Sequence, residues 1–355
     1  MDTSPPPSRT ASRAAQRPAA SPWPPAVREA VDEALAEPSA GVARVDVDGR
    51  VALEAAWGLA DRRLEVAMQP CHRIAVASGS KGFTALAVMS LIAQGRLALG
   101  TTARSVLGAD LPLVAADVTV EHLLSHRSGV GEYLDDDADL AEYLLPGAMS
   151  GYVSPEDYLG VLDGREPAFP AGSGFAYCNS GFILLALIAQ RASGTPFHDL
   201  VRTRVLEPAG MARTDYLRSD ALPGDAAIGY IEVDGVWRTT VHHLPVIGGG
   251  DGGVYTTAED MHRFWSALLA GRIVPIQAVR EMCRVRSSAE ETGEGAGYGL
   301  GLWLPAPGVV RLEGMDAGSS FVSTHTISSA RTVSVLSTTA HGAWDIAEVL
   351  ESVTG

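Results

Sequence analysis

Lysine is almost missing from this chain. Of 355 residues one is lysine, Lys81, and every other Lys-or-Arg position is arginine. Arginine stays protonated inside proteins and cannot serve as a base, whereas a lysine can, if burial or nearby positive charge lowers its proton affinity. A sequence that uses arginine wherever charge suffices marks position 81 as one where an amine itself is wanted. Cysteine is scarce as well. Cys71, Cys178 and Cys283 are too few and too scattered for a disulfide framework or a metal site. No apolar run is long enough to span a bilayer. No basic cluster interrupts a net charge of −15, which argues against nucleic acid and anionic membranes as partners. The run Gly248-Gly249-Gly250-Asp251-Gly252-Gly253 lacks the lysine of a phosphate-binding loop. Its glycines are read as places where two elements approach closely. No metal or cofactor signature is present, and none is expected.

What is present suffices for a full core: 46% of the residues are hydrophobic, and the length allows one large domain or two intimately joined ones. Residues 1–25 are rich in Pro, Ser, Ala and Arg without an apolar signal core, so a disordered tail and a cytoplasmic location are expected. Residues 26–37 have helical apolar spacing. Residues 41–47 and 50–57 alternate like two strands around the turn signal Asp48-Gly49. From about 97 to 243, helical segments alternate with Gly/Pro/Asp-rich loops. A short helix capped by Thr119 runs to His126, an acidic run at Asp135-Asp136-Asp137 reads as a solvated loop or helix start, and Ser180 to Ser193 reads as a buried helix. Thr257 caps another helix. Residues 298–304, 309–313, 321–327 and 332–338 read as strands, and 343–353 as a closing amphipathic helix. The expected fold is α+β. Strands from both ends pair into one antiparallel sheet flanked by helices (residues 26–110 with 244–355), and a mostly helical domain is inserted at 111–243.

Lys81 falls three residues after Ser78. A helix opening near Ser78 places the hydroxyl and the amine on one face, with the serine at the helix's positive end. A serine hydroxyl needs a base to become a nucleophile. Downstream, Tyr177 and Asn179 sit in a Gly/Ser turn before the buried helix. A phenol titrates near 10 in water, and an ammonium beside it favours the phenolate. Tyr177 could then take the serine's proton, while Asn179 offers an amide to Lys81 or to a substrate carbonyl. His122 and His126 are four apart on the expected helix, a metal-compatible spacing without a third ligand, and read as a structural pair. His242-His243 could line a cleft. Cys178 is expected near it, within reach of alkylating probes.

Ser78-x-x-Lys81 followed by Tyr177-Cys178-Asn179 resembles the serine β-lactamase and penicillin-binding-protein superfamily. The Tyr-x-Asn form is similar to the class C branch and its related esterases, D-amino-acid peptidases and transacylases. The resemblance extends to residues 119–129 (Thr-Val-Glu-His-Leu-Leu-Ser-His-Arg-Ser-Gly), to Pro170-Ala171-Gly172 and to residues 252–260, and covers about 39–339. It implies a β-lactamase/transpeptidase-like fold. It also implies a Ser78 acyl-enzyme, a base role shared by Lys81 and Tyr177 and oriented by Asn179, and an oxyanion hole. The Ser78 N–H and the sheet's edge strand would form that hole. Gly314 or Gly318 would fill the glycine position of the third motif. Trp303, on the strand before that motif, reads either as part of a substrate wall or as an ordinary core tryptophan. That motif departs from the family: Glu313-Gly314-Met315-Asp316-Ala317-Gly318 carries no cation to meet a substrate carboxylate, and its acids would repel one. Asp316 either binds a substrate amine or caps a turn. The function expected is a serine hydrolase acting on a small ester or amide. The alternatives are a transacylase with the same acyl-enzyme, a β-lactamase or D-amino-acid peptidase, and an inactive binding protein.

Overall fold

The computed structural model describes residues 23–35, 39–134 and 145–353. Most of the expected tail and the acidic run Asp135-Asp136-Asp137 lie outside the described residues. Trp23, within the stretch read as tail, is buried against Trp57 with ring centroids 5.4 Å apart.

The two ends of the chain meet in one sheet. Strands β1 (Gly41–Val47) and β2 (Arg50–Trp57) come from the first part of the chain. Strands β3 (Gly297–Tyr298), β4 (Trp303–Ala306), β5 (Val309–Asp316), β6 (Ser319–Thr326) and β7 (Arg331–Ser337) come from the last. Their order is β3-β4-β5-β6-β7-β1-β2, antiparallel throughout. The first strand pairs with the last, Gly41 opposite Ser337 and Val47 opposite Arg331. Asp48 and Gly49 turn β1 into β2 with φ of 50° and 73°, the left-handed pair that a two-residue hairpin requires.

Alternation along the strands separates two layers. On one face, Ala43, Val45, Val322, Val333 and Val335 pack under α1 (Pro25–Ala34) and the C-terminal helix (Trp344–Val353). On the other, Val42, Leu312, Phe321 and Leu336 join the core of α2 (Lys81–Ala93), α3 (Asn179–Ser193) and α4 (Ala258–Leu269). Trp265 of α4 donates its indole N–H to Ser323 Oγ at 2.8 Å, and Ser323 Oγ also pairs with Ser334 Oγ at 2.8 Å, so these buried polar groups are partnered. Helices α2 and α3 are buried along nearly their whole length, which their near-continuous apolar composition requires.

Several expectations are corrected in detail. The strand expected over 298–304 is two short strands, because Gly301 sits at φ 75° against α2, where a Cβ would lie 2.3 Å from Ala85 Cβ. The helix after Thr119 spans only Val120–Leu124. The region read as almost free of strands contains a hairpin, Tyr230–Val233 with Val236–Thr239. Its Asp234-Gly235 turn signal is plain in the sequence. No described helix is long and apolar enough to cross a membrane.

Leu350 is fully buried on the face under α1. Leu350→Ala is expected to lower unfolding free energy by about 2–5 kcal/mol in denaturant titration.

Candidate active site

Ser78 lies in a 3-10 turn, Ala77–Ser80, that runs directly into α2. The regular helix therefore begins at Lys81, not at Ser78. Ala77, just before the serine, has φ 45°. A non-glycine residue in that region stores about 1–3 kcal/mol of strain, and such residues cluster at functional sites. The three-residue spacing still brings Lys81 Nζ to 2.9 Å from Ser78 Oγ.

Lys81 is 2% exposed and spends all three ammonium protons. Nζ donates to Ser78 Oγ, to Asn179 Oδ1 at 2.7 Å and to the Asp251 carbonyl at 2.9 Å. Burial works against the charge, but Tyr177, Asp251 and Glu132 outweigh it and hold the ammonium above the ordinary lysine value. This direction is opposite to the lowered proton affinity that a base role for Lys81 would require. The lysine is a donor, and its negative neighbours come from loops whose proximity no local pattern reveals.

The Tyr177 ring lies over that ammonium, its centroid 4.8 Å from Nζ. One neighbour is Trp303, stacked at 6.1 Å with an interplanar angle of 7°. Another is His126, at 4.3 Å. His126 brackets the tyrosine: its carbonyl accepts from Ala176 N–H and its Nδ1 from Cys178 N–H, both at 3.0 Å. Since Nδ1 accepts, the neutral ring's proton is on Nε2, 3.1 Å from Tyr298 Oη. Burial, then the Lys81 charge, pushes His126 well below its ordinary pKa. His126 lies beyond the end of its helix at φ 56°, whereas His122 closes a capping box with Thr119. The two histidines do different work and do not converge on one point.

Gly314 of β5 closes the other side. A Cβ there would lie 2.5 Å from Ser78 N and 2.7 Å from Gly79 N, so only glycine lets the strand run this close to the serine turn. Gly318 does not line the cleft: it turns β5 into β6 at φ 73° and packs on Thr240 and Tyr230. Gly314 is thus the glycine brought to the site. Strand β5 is third in the sheet, not an edge strand, although its pairing with β4 reaches only from Val309 to Arg311.

A cleft of about 380 Å³ opens over Ser78, lined by Tyr177, Asn179, Trp303, Gly314 and Asp316 among others. His243 lines it too, as does Asp251. Among the described residues its acidic lining consists of Asp251, Glu294, Glu313 and Asp316, and no described arginine or lysine lines it. Asp316 Oδ1 accepts the Ala317 N–H at 2.9 Å, a turn cap. Burial raises the Glu313 pKa against the pull of Arg311, whose guanidinium is 3.5 Å away. Cys178 lies near the cleft as expected, between the lining residues Tyr177 and Asn179, but it is not itself in the lining or open to probes. It is buried, its thiol raised by burial, and its Sγ accepts the Gly181 N–H at the start of α3.

Sequence reasoning missed Glu132 and Asp251. Asp251 accepts the Tyr133 hydroxyl at 2.6 Å and carries the carbonyl that Lys81 meets. The surrounding glycines do permit close approach, since a Cβ on Gly250 would lie 2.3 Å from the Phe182 carbonyl. The aspartate in their midst was the signal.

This architecture and the Ser78–Lys81–Tyr177–Asn179 constellation are those of a serine hydrolase scaffold of the β-lactamase type. Residues 27–350 match the Beta-lactamase family, and the chain belongs to it. The chain is similar to the D-aminopeptidase of Brucella anthropi, 29% identical over 281 residues that cover 77% of this chain and 50% of that one. It is also similar to the D-aminopeptidase of Cereibacter sphaeroides, 30% identical over 269 residues covering 74% and 49%. It thus spans about half the length of these curated relatives. The crystal structure of a penicillin binding protein from Bacillus halodurans superposes with a TM-score of 0.83 at 31% identity, covering 92% of this chain and 98% of that one.

A methyl group at position 314 would force β5 and the serine turn apart. Gly314→Ala is expected to slow reaction of Ser78 with a fluorophosphonate by about a hundredfold, read by intact-protein mass spectrometry.

Proposed function

We propose that this protein opens a small amide or ester through an acyl-enzyme on Ser78. The observation that carries the proposal is the Lys81 ammonium, which donates to Ser78 Oγ and faces the Tyr177 ring. Because Ser78 Oγ accepts from Lys81, its own proton is left for another acceptor. Tyr177, as phenolate, takes that proton while Oγ attacks the substrate carbonyl carbon, and returns it to the departing amine or alcohol. Lys81 keeps its three protons throughout and offsets the negative charge on the phenolate. Asn179 holds it in place. The Ser78 N–H and a backbone N–H of β5 beside Gly314 receive the oxyanion, a contribution of about 3 kcal/mol per donor. Water then attacks the acyl-enzyme by the same route in reverse.

The acidic lining supports a substrate that carries an amine near the scissile bond and no carboxylate there. The D-aminopeptidases among the relatives support the same choice by name, with a small amide as the leading substrate class.

Intact mass after incubation with a fluorophosphonate and, separately, with penicillin G tests this reading. A phosphonate adduct on the wild type that is absent from Ser78→Ala, together with no penicillin adduct, is the expected result. A stable penicillin adduct would sink the argument from the acidic lining. No adduct with either reagent would sink the acyl-enzyme. The rate of phosphonylation is expected to fall at alkaline pH as Lys81 loses its proton, above the ordinary lysine value.

A further inference from the structure

Glu132 belongs to no motif, yet its carboxylate gathers five donors. Oε1 accepts from the backbone N–H of Tyr133 at 2.7 Å, of Leu134 at 3.1 Å and of Ser180 at 3.2 Å, and from Ser180 Oγ at 3.1 Å. Oε2 accepts from the backbone N–H of Asn179. The carboxylate thus sits at the start of α3, where free N–H groups and the helix dipole favour a negative charge. It ties the loop of residues 128–134 to that helix.

Two of the four residues it anchors, Asn179 and Tyr133, lead to Lys81. Asn179 presents Oδ1 to Nζ at 2.7 Å. Tyr133 donates its hydroxyl to Asp251 Oδ2, and the Asp251 carbonyl accepts from Nζ at 2.9 Å. Two of the three acceptors that hold the ammonium are therefore placed through one carboxylate.

We propose that Glu132 is a positioning residue for the Ser78 nucleophile: through Asn179 on one side and Tyr133–Asp251 on the other, it holds Lys81 against Ser78. This rests on the Ser78 acyl-enzyme reading given above. A clamp that merely closed the loop would leave the behaviour of Lys81 unchanged when its charge is removed. A positioning carboxylate would not, for two reasons. In Glu132→Gln the amide oxygen can keep the four Oε1 bonds, but an NH2 group replaces the acceptor that meets Asn179 N–H, and donor then faces donor. The variant also removes one of the negative charges around the ammonium. The titratable groups facing Lys81 are Tyr177 and Cys178 before α3, His126 from the loop after Val120–Leu124, Glu132, and Asp251 from the glycine-rich turn. Of these, Tyr177, Asp251 and Glu132 support the ammonium.

The test is the rate of Ser78 phosphonylation by a fluorophosphonate from neutral to alkaline pH, for wild type, Glu132→Gln, Glu132→Asp and Tyr133→Phe. Glu132→Gln is expected to react about tenfold to a hundredfold more slowly, with the alkaline fall in rate moved to lower pH. Glu132→Asp keeps the charge and should return that fall toward its wild-type position. Tyr133→Phe removes only the Asp251 arm and should give a smaller loss. The position of the fall does not depend on how much of a sample is folded. A Glu132→Gln protein with the wild-type rate, or one that is slower with the fall unmoved, would overturn the positioning role while leaving Ser78 as the nucleophile. A wild type that takes up no label at Ser78 would overturn the acyl-enzyme reading, and this assignment with it.

Discussion

The structure around Ser78 depends on one buried ammonium. A charge taken out of water is tolerated only when its hydrogen bonds are met inside the protein. Lys81 meets all three, and the acceptors come from three distant parts of the chain: the turn before α2, the first residue of α3 and the carbonyl of Asp251. Moving any one of these segments would leave a buried proton without a partner. The constraint therefore runs outward from Nζ to the loops that carry its acceptors. An amine whose three protons are all engaged offers no lone pair to the serine, and for that reason the mechanism proposed above gives the base role to Tyr177.

The fold delivers these segments by close contact. Gly314 lets β5 run beside the serine turn, Gly82 lets α2 lie on Leu312 of the same strand, and Gly250 lets the aspartate turn press on α3. Each contact leaves no room for a side chain, so the strand, the two helices and the turn cannot slide independently. The aromatic layer of Tyr177, Trp303, His126 and Tyr298 fills the remaining space and fixes the phenol over the ammonium. The sheet itself is far larger than the site. Its role is to hold Gly314 still.

Much of this was legible in the residues. The solitary lysine, its spacing from Ser78, and the Tyr-x-Asn turn identified three of the elements that converge. Alternation and turn chemistry located the long strands, because a half-buried strand leaves a period of two wherever one face meets a core. Glu132 and Asp251 were not legible, for a physical reason. Their importance lies in which distant groups they meet, across 47 positions in sequence for Glu132–Asn179 and 118 for Tyr133–Asp251. No local periodicity encodes such a meeting. The same limit bears on the lysine: burial and Tyr177 were foreseeable, but the Asp251 and Glu132 carboxylates that join Tyr177 in outweighing burial were not. Gly314 and Gly318 could be separated only once the strand's register beside Ser78 was known.

Having a single lysine makes the central claim directly measurable. Protein labelled with 15N at the lysine side chain should give one Nζ signal, that of Lys81, whose chemical shift reports its protonation without any assignment problem. The account predicts an ammonium at neutral pH that keeps its proton until the pH passes the ordinary lysine value, with the signal altered when Asn179 is replaced by alanine. A neutral amine at neutral pH would contradict it, and would return the role of base to Lys81.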